Sequence, residues 1–297
     1  MIWPAHVSSK ETLLTQRLGY PADARLLIIH ADDLGVAHSE NSATLEALRS
    51  GAVSSASVMV PCPWLTEVAD FARAHPEADI GVHLTLTSEW KTYRWGPCAP
   101  RNQVPSLLDS HGYFFASQED AVRHMKPEEG VIEIRAQVEA ALGMGIQPTH
   151  LDSHMATLYT RPELVAALAR VAHEYHLPFL ILQTPGAPPD TYAALHPNDV
   201  ILDHVFMAEP PIRPHEWLSY YTEVLATLPP GVSQLIVHLA HDDAEMQAVT
   251  AGYSSYEGGW RQRDFNVVKS REFRQALKRN CIELITWRDL GKLPAES

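Results

Sequence analysis

The amino-acid sequence predicts an α/β fold in which one domain forms a (β/α) barrel of seven or eight parallel strands. Short apolar runs rich in β-branched residues alternate with longer segments of helical periodicity along the 297 residues. No linker rich in Gly, Ser or charge divides the chain, which predicts a single domain over residues 1–297. Polar residues follow several strands and no Gly-rich phosphate motif follows the first, so a barrel is favoured over an open sheet.

Eight apolar runs predict the strands, at residues 24–30, 52–60, 79–86, 148–155, 178–183, 200–206, 233–239 and 282–287. The obvious helices are predicted at residues 42–51, 161–176, 214–228 and 270–280. Gly51 suits a helix C-terminus and Pro162 suits a first helical turn, so two of these boundaries have a local cause.

The largest interruption of this alternation is an insertion at residues 87–118. It contains Trp90, Tyr93, Trp95, Tyr113, Phe114 and Phe115 among prolines and glycines. A connection of this length in a compact domain is usually functional or disordered. The aromatic content argues against disorder.

Charge and composition exclude several classes of function. The formal net charge of −13 argues against a nucleic-acid surface, which normally shows a basic stripe. The three cysteines are far apart and form no CxxC motif, so neither a disulfide framework nor a thiolate metal site is expected. We see no signal-peptide pattern and no apolar run of 18 residues. A cytoplasmic protein that binds neither nucleic acid nor membrane is expected.

The stretch HADDLG places two adjacent carboxylates, Asp32 and Asp33, directly after the apolar run 27–29. Like charges repel and are costly to desolvate, so such a pair at the end of a buried strand indicates a functional site. One aspartate could instead cap the next helix, although this would not explain the second. Neighbouring residues of a strand point in roughly opposite directions, so a shared role is not automatic.

Several of the sixteen histidines lie inside apolar runs, which invites a metal interpretation. In GVHLTL, alternation places His83 on the opposite face from Val82 and Leu84, toward the barrel interior or its mouth. Taken alone, His83 is better interpreted as a core histidine. In THLDSHMA, the side chains of His150, Asp152 and His154 share one strand face, with the last at the rim.

A carboxylate and two histidines from different strand ends form the ligand set of many metal hydrolases. Such donors suit zinc, iron, cobalt or nickel, and three protein ligands leave positions for water and substrate. The metal would acidify its water and polarise a carbonyl, and the spare aspartate would act as general base.

A last candidate is His238, again a histidine in a buried strand, within LIVHLAHDD. It could act as general acid toward a leaving group, or it could be a core histidine bonded to a backbone carbonyl. His241, Asp242 and Asp243, which follow, fit a helix start or a loop better than a site.

These motifs together resemble one family. ADDLG followed by Asn41, then GVHLTL, then PTHLDSH, resemble in this order the YdjC-like carbohydrate deacetylases, the group of chito-oligosaccharide and hopanoid-related deacetylases. The resemblance spans residues 25 to about 287 and implies a distorted (β/α) barrel. Met155, Ala156 and Thr157 follow LDSH where the chito-oligosaccharide enzymes have further histidines, so the resemblance extends to the metal ligands but does not imply chito-oligosaccharide specificity.

The resemblance implies a role for each matching residue. It makes Asp33, His83 and His154 the metal ligands and Asp32 the catalytic base. His150 and Asp152 then become residues that orient the ligands or line the pocket. The segment GWRQRDF resembles a late family feature, with Arg261 followed three residues on by Asp264 near the substrate or the ligands.

The expected function is metal-dependent removal of an acetyl group from an N-acetylated mono- or oligosaccharide, with His238 protonating the departing amine. The expected cofactor is one divalent ion, with zinc and magnesium first and the other transition metals left open. The aromatic insertion would close over the sugar ring, or else pack against the barrel rim or a partner subunit. The alternatives are a hydrolase of another amide or of an O-acetyl ester, and a non-catalytic sugar-binding barrel. The partner is a small N-acetylated sugar, and a homodimer is a reasonable expectation.

Overall fold

The computed structural model describes residues 13–182, 187 and 190–293. Within them the chain forms seven strands, all of whose pairings are parallel. These strands are β1 (Arg25–Leu34), β2 (Ser55–Val58), β3 (Ile80–Leu84), β4 (Leu151–Ser153), β5 (His204–Met207), β6 (Gly231–His238) and β7 (Ile282–Leu284).

The strands form one sheet in the order β4-β3-β2-β1-β6-β5. The short β7 pairs with the first part of β1, at Arg25, and β2 pairs with its second part, from His30 onward. In the described part of the chain no strand joins β4 to β5; Leu151 instead forms a single bridge with Phe179. The fold is therefore a distorted (β/α) barrel that is open along one side, and we call the opening between residues 179–182 and β5 the seam.

Helices cover the outside of the sheet. They are α1 (Leu14–Arg17), α2 (His38–Arg49), α3 (Leu65–Ala74), α4 (Gln118–His124), α5 (Pro127–Gly143), α6 (Pro162–Glu174), α7 (Trp217–Ala226), α8 (Ala244–Val249), α9 (Gly258–Lys269), α10 (Arg271–Arg279) and α11 (Trp287–Leu290). No helix in the described residues is long and apolar enough to cross a membrane.

Seven of the eight predicted strands are present, and the predicted fold class is confirmed. The run at residues 178–183 forms only the bridge at Phe179, and residue 183 lies outside the described residues. Its first residue, Pro178, has no backbone N–H to donate to a neighbouring strand. β1 is longer than predicted and includes both Asp32 and Asp33.

Alternation along β1 divides the core into two parts. Leu26 and Ile28 face the barrel interior, where they belong to the same apolar cluster as Ile236. Leu27 and Ile29 face the helices and belong to the larger outer cluster. Residues 30 and 32 continue the inward series, so the interior changes from apolar to polar as β1 approaches its carboxyl end.

The aromatic insertion is folded against the barrel rim. Trp90 and Trp95 are 3% exposed and pack edge to face with ring centroids 5.7 Å apart. Trp95 Nε1 donates to Thr87 O at 2.8 Å, and the Tyr93 hydroxyl donates to Val36 O at 2.6 Å. The first of these bonds lies within the insertion, and the second ties the insertion to Val36, just after β1.

Candidate metal centre and its cavity

The two aspartates of β1 face the same side chain. The register between β1 and β2 shifts between Ala31 and Leu34, which interrupts the regular alternation at the aspartates. Asp33 has a φ of 68°, in the left-handed region, and this turns its carboxylate toward the side that Asp32 faces. Asp33 Oδ1 lies 3.4 Å and Asp32 Oδ2 lies 3.8 Å from His83 Nε2.

The alternative in which one of these aspartates caps a helix is wrong. The N-cap residue of α2 is Ala37, whose side chain makes no capping hydrogen bond. A later acid does have this role: Asp243 caps α8 and accepts from Met246 N at 3.0 Å. The expectation of a helix start after His238 is therefore confirmed for Asp243.

Two histidines from adjacent strands complete the cluster around Asp33. His83 lies on β3, and His154 directly follows β4, the neighbouring parallel strand. His154 Nδ1 lies 3.1 Å from Asp33 Oδ1 and 3.3 Å from His83 Nε2. All three side chains are buried. The structure thus brings together the carboxylate and the two imidazoles that the resemblance selects.

The donor atoms of this cluster fit a divalent metal ion. Asp33 Oδ1 is buried without a hydrogen-bond partner among the described residues, although an imidazole nitrogen of each histidine lies within 3.4 Å. The three ligand atoms lie within 4.8 Å of one another. Donors held at about 2.0–2.1 Å from a tetrahedral ion are separated by about 3.3 Å, close to the spacing found here.

Each histidine of the cluster contacts a carboxylate through its other ring nitrogen. His83 Nδ1 donates to Asp152 Oδ1 at 2.8 Å, and His154 Nε2 donates to Glu89 Oε2 at 3.1 Å. Carboxylates in this position fix the tautomer and the ring orientation of a metal-binding histidine. Asp152 therefore lies where it can orient His83. Glu89 belongs to the insertion and was not selected from the sequence.

Burial and neighbouring charge separate the pKa values of the two aspartates. Burial raises the pKa of Asp32 to about 6. Burial alone would also raise the pKa of Asp33, but the Arg261 guanidinium and the imidazoles of His154 and His83 hold it well below its usual range. Asp33 is therefore ionised, as a metal ligand must be, whereas Asp32 can exchange a proton near neutral pH.

Arg261, on α9, connects the cluster to the helical layer. Its Nη2 donates to Asp33 Oδ2 at 2.7 Å and its Nη1 donates to Glu40 Oε2 at 2.9 Å. Glu40 lies on α2 and is fully buried, and burial raises its pKa to about 8 despite the opposing Arg261 charge. Arg261 thus holds the Asp33 carboxylate in place, and Glu40 is a further residue that sequence reasoning missed.

Asp264, one turn further along α9, lies behind His238 and does not line the cavity. Its Oδ1 accepts from Trp217 Nε1 at 2.7 Å and from the Tyr221 hydroxyl at 2.6 Å, and its Oδ2 accepts from His238 N at 3.0 Å. Asp264 therefore fixes the backbone at the end of β6. A direct contact with substrate, one of the roles considered for it, does not fit this position.

His150 lies deeper in the barrel and does not line the cavity either. Its ring stacks on Trp287 with centroids 5.0 Å apart and packs against His30, at 4.9 Å. A Cβ at Gly81 would come within 2.4 Å of this ring, so the glycine makes room for it. His150 reaches the centre only indirectly, through His30, whose Nε2 lies 3.2 Å from Asp32 Oδ1. The expectation of a pocket-lining role for His150 is not met.

His238 faces the cavity beside Asp32. The two residues are register partners on the parallel strands β1 and β6, so their side chains leave the same face of the sheet. Among the described residues the ring makes no hydrogen bond to a backbone carbonyl, and it packs against the Tyr256 ring with centroids 4.8 Å apart. Burial lowers the pKa of His238 to about 3, so its resting form is the neutral imidazole.

The cavity over the cluster has a volume of about 370 Å³, within the range of small-molecule sites. Its polar wall contains the cluster, Asp32, Glu89 and Arg261. Trp90 and Gln118, from the two ends of the insertion, line it as well. Tyr159 is part of the same lining.

Fold and site together define a distorted (β/α) barrel with a His/Asp cluster, able to hold a metal ion, at the carboxyl ends of its strands. The sequence profile of the YdjC-like protein family matches residues 26–279. The chain belongs to the YdjC-like family.

Named relatives are similar over nearly their whole length. A carbohydrate deacetylase of Thermus thermophilus is 34% identical over 281 residues, which cover 93% of this chain and 97% of the relative. A carbohydrate deacetylase of Brevibacillus brevis is 28% identical, over 89% of this chain and 99% of its own. A crystal structure from Enterococcus faecalis V583, described as a cellobiose-phosphate cleavage protein, superposes with a TM-score of 0.75 at 28% identity, covering 90% of this chain and 99% of that one.

Proposed function

We propose that this protein is a carbohydrate deacetylase that hydrolyses the N-acetyl amide of an N-acetylated mono- or oligosaccharide and releases acetate. The observation that carries the proposal is the convergence of Asp33, His83 and His154 beside a second carboxylate, Asp32, within one cavity. The carbohydrate deacetylases that are similar over nearly the whole chain support the same reaction class.

Asp33, His83 and His154 would hold one divalent metal ion. Two imidazoles and one carboxylate favour zinc or another transition metal, because magnesium prefers an all-oxygen environment. When bound, such an ion would polarise the amide carbonyl and lower the pKa of the attacking water. Asp152 and Glu89 keep the two histidine rings oriented through the contacts at 2.8 and 3.1 Å.

Asp32 is the proposed general base. It faces the cavity and is still 9% exposed, which leaves room for a water molecule beside it. With a pKa raised to about 6, Asp32 is a carboxylate at neutral pH and remains a strong enough base to take a proton from that water. His30 Nε2 lies 3.2 Å from Asp32 Oδ1, which has no hydrogen-bond partner among the described residues.

His238 is the proposed route of the proton to the departing amine. Because burial lowers the pKa of His238 to about 3, its ring is neutral at rest and would carry the proton from Asp32 only transiently; the protonated ring would be a strong acid toward the more basic leaving nitrogen. The two side chains leave the same face of adjacent strands. Water supplies the oxygen of the acetate, and one of its protons ends on the amine, so the reaction balances without a further reactant.

Two further side chains that line the cavity are proposed to contact the substrate. Trp90, which lines the cavity and is held under Arg261 at 5.8 Å, would contact the sugar at the rim. Tyr159, which also lines the cavity, would contact the substrate through its ring. We propose that residues 1–297, including the insertion, form one domain and that its partner is a small sugar. Light scattering would distinguish a monomer from a homodimer.

Acetate release is the test of this function. Metal-stripped protein would be assayed with and without zinc, magnesium, cobalt or nickel on N-acetylglucosamine, diacetylchitobiose, longer chito-oligomers and an O-acetylated sugar. The proposal expects metal-dependent release from an N-acetyl compound, at least 10³-fold reduced in His154→Ala. His38→Ala, which changes a half-exposed histidine bonded to Glu67, is the matched control and should retain activity.

Two outcomes would contradict the proposal. Release from the O-acetyl compound alone would make the protein an esterase on the same scaffold. No release from any substrate, by protein that binds zinc at a site lost in His154→Ala, would refute the N-acetyl sugar assignment.

A further inference from the structure

The cavity has an apolar floor that the proposed reaction of an acetyl group does not fully use. Leu180, Leu182, Met207 and Ile236 line it together, and we call these four side chains the apolar recess. Leu180 and Ile236 belong to the core inside the barrel, and the other two pack against that core. The recess is therefore the part of the interior core that the open seam leaves uncovered.

The strand register fixes the depth of the recess. Ile236 on β6 is the partner of both His30 on β1 and Met207 on β5, so the three side chains share one interior layer. Asp32 and His238, two residues further along the same strands, are partners in the next layer. Ile236 and Met207 of the recess therefore lie one layer deeper than the proposed base and proton carrier.

This order of layers determines which part of a substrate enters the recess. Sugar hydroxyls are costly to bury without partners, so the ring belongs at the mouth, where Gln118, Ser255 and the 40% exposed Tyr253 offer polar groups. The amide belongs at the level of Asp32. The acyl chain, which is apolar and projects from the far side of the carbonyl, is then the group that points deeper.

We propose that the apolar recess binds the acyl chain and admits chains longer than acetyl, so that N-propionyl and N-butyryl amino sugars are substrates. This inference rests on the proposed function. Water adds its oxygen to the acyl carbon, the C–N bond breaks, and propionate or butyrate leaves while the amine takes a proton. Each methylene that enters the recess is expected to improve binding about fourfold, the equivalent of about 0.8 kcal/mol.

The first test measures binding without turnover. Asp32→Asn protein would be titrated calorimetrically with N-acetyl-, N-propionyl- and N-butyrylglucosamine. The dissociation constant should fall about fourfold from acetyl to propionyl and about 15-fold from acetyl to butyryl. In the unmodified, metal-loaded enzyme, kcat/KM should rise from the acetyl to the propionyl to the butyryl compound.

The second test fills the recess from two sides. Ile236→Phe and Leu182→Phe should each lower the ratio of butyryl to acetyl kcat/KM at least tenfold, because the added ring occupies the space of the longer chain. Leu218→Phe makes the same change in volume at a half-buried position of α7 outside the cavity lining, and it should leave the ratio unchanged. Two filling variants are used so that a folding failure of one does not decide the result.

The outcomes separate this inference from the function on which it rests. Two results would overturn the recess assignment alone. One is hydrolysis of the acetyl compound with butyryl turnover more than tenfold slower. The other is a ratio of butyryl to acetyl kcat/KM that stays unchanged in both filling variants. Chain-length-dependent binding without hydrolysis of any amide would contradict the proposed reaction and leave the recess assignment supported. Equal dissociation constants for the three compounds would overturn the recess assignment whatever the turnover.

Discussion

Removing the Asp152 carboxylate is expected to weaken metal binding. Asp152 accepts from His83 Nδ1 at 2.8 Å, from Ser57 Oγ at 2.8 Å and from His30 Nε2 at 3.0 Å. Burial would raise the pKa of Asp152, but His83 and His30 together hold it well below its usual range, so this carboxyl is ionised. Its charge both orients the His83 ring and increases the basicity of the nitrogen that faces Asp33.

The size of the effect follows from what each substitution leaves behind. Loss of a carboxylate that orients a metal-binding histidine typically costs 10- to 100-fold in metal affinity, or about 1.4–2.7 kcal/mol. Asp152→Asn keeps the shape and one acceptor oxygen, so about tenfold is expected. Asp152→Ala also removes the acceptor, so about 100-fold is expected.

The assay is the zinc dissociation constant of metal-stripped protein, measured by competition with a chromophoric chelator. Glu67→Ala is the matched control, because it removes a carboxylate that lies 3.0 Å from the ring of half-exposed His38. A folded Asp152→Ala protein with the unmodified zinc affinity would refute the claim that Asp152 orients His83. The same loss in Glu67→Ala would show that the effect is not specific to this centre.

Three further outcomes are expected. His238→Gln should lower kcat about 10²- to 10⁴-fold with KM nearly unchanged, and a loss below tenfold in steady-state assays would show that Asp32 protonates the amine without it. Gly81→Ala should destabilise the fold by about 1–3 kcal/mol in urea unfolding, because the new Cβ would meet the His150 ring at 2.4 Å; an unchanged midpoint would mean that this ring can move. Zinc at 100 times its dissociation constant should raise the free energy of unfolding by about 2.7 kcal/mol, seen as a higher Tm in calorimetry, whereas an equal rise in His154→Ala would place the ion elsewhere.

The sequence was sufficient for seven of the eight strands and for the inward placement of His83, because both depend on local pattern. β-branched runs of five to eight residues predict strands wherever the sheet is covered on both faces. Alternation then predicts that His83 faces inward, as it does in the structure. The strand prediction was wrong for the short run that begins at Pro178, because this run forms only one bridge, at Phe179.

The carboxylates that support the centre could not be found in this way. Glu89 is 65 positions from His154 in the chain, and Glu40 is 221 positions from Arg261. Locally, Glu40 resembles any acid near the start of an amphipathic helix, and Glu89 resembles a polar residue of a loop. Only the packing of α2, α9 and the insertion onto the barrel rim buries them, and burial is what makes each depend on its cationic or imidazole partner.

The aspartate pair shows why a local rule can fail at a functional position. Strand alternation predicts that Asp32 and Asp33 point apart, yet both face His83 because the backbone at Asp33 is left-handed. That conformation costs a residue other than glycine about 1–3 kcal/mol, although aspartate tolerates it better than most. The ion pair with Arg261 at 2.7 Å offsets part of that cost and fixes the carboxylate. The position thus requires a residue that is anionic and also tolerates positive φ, which aspartate satisfies and glutamate, a residue rarely found at positive φ, does not.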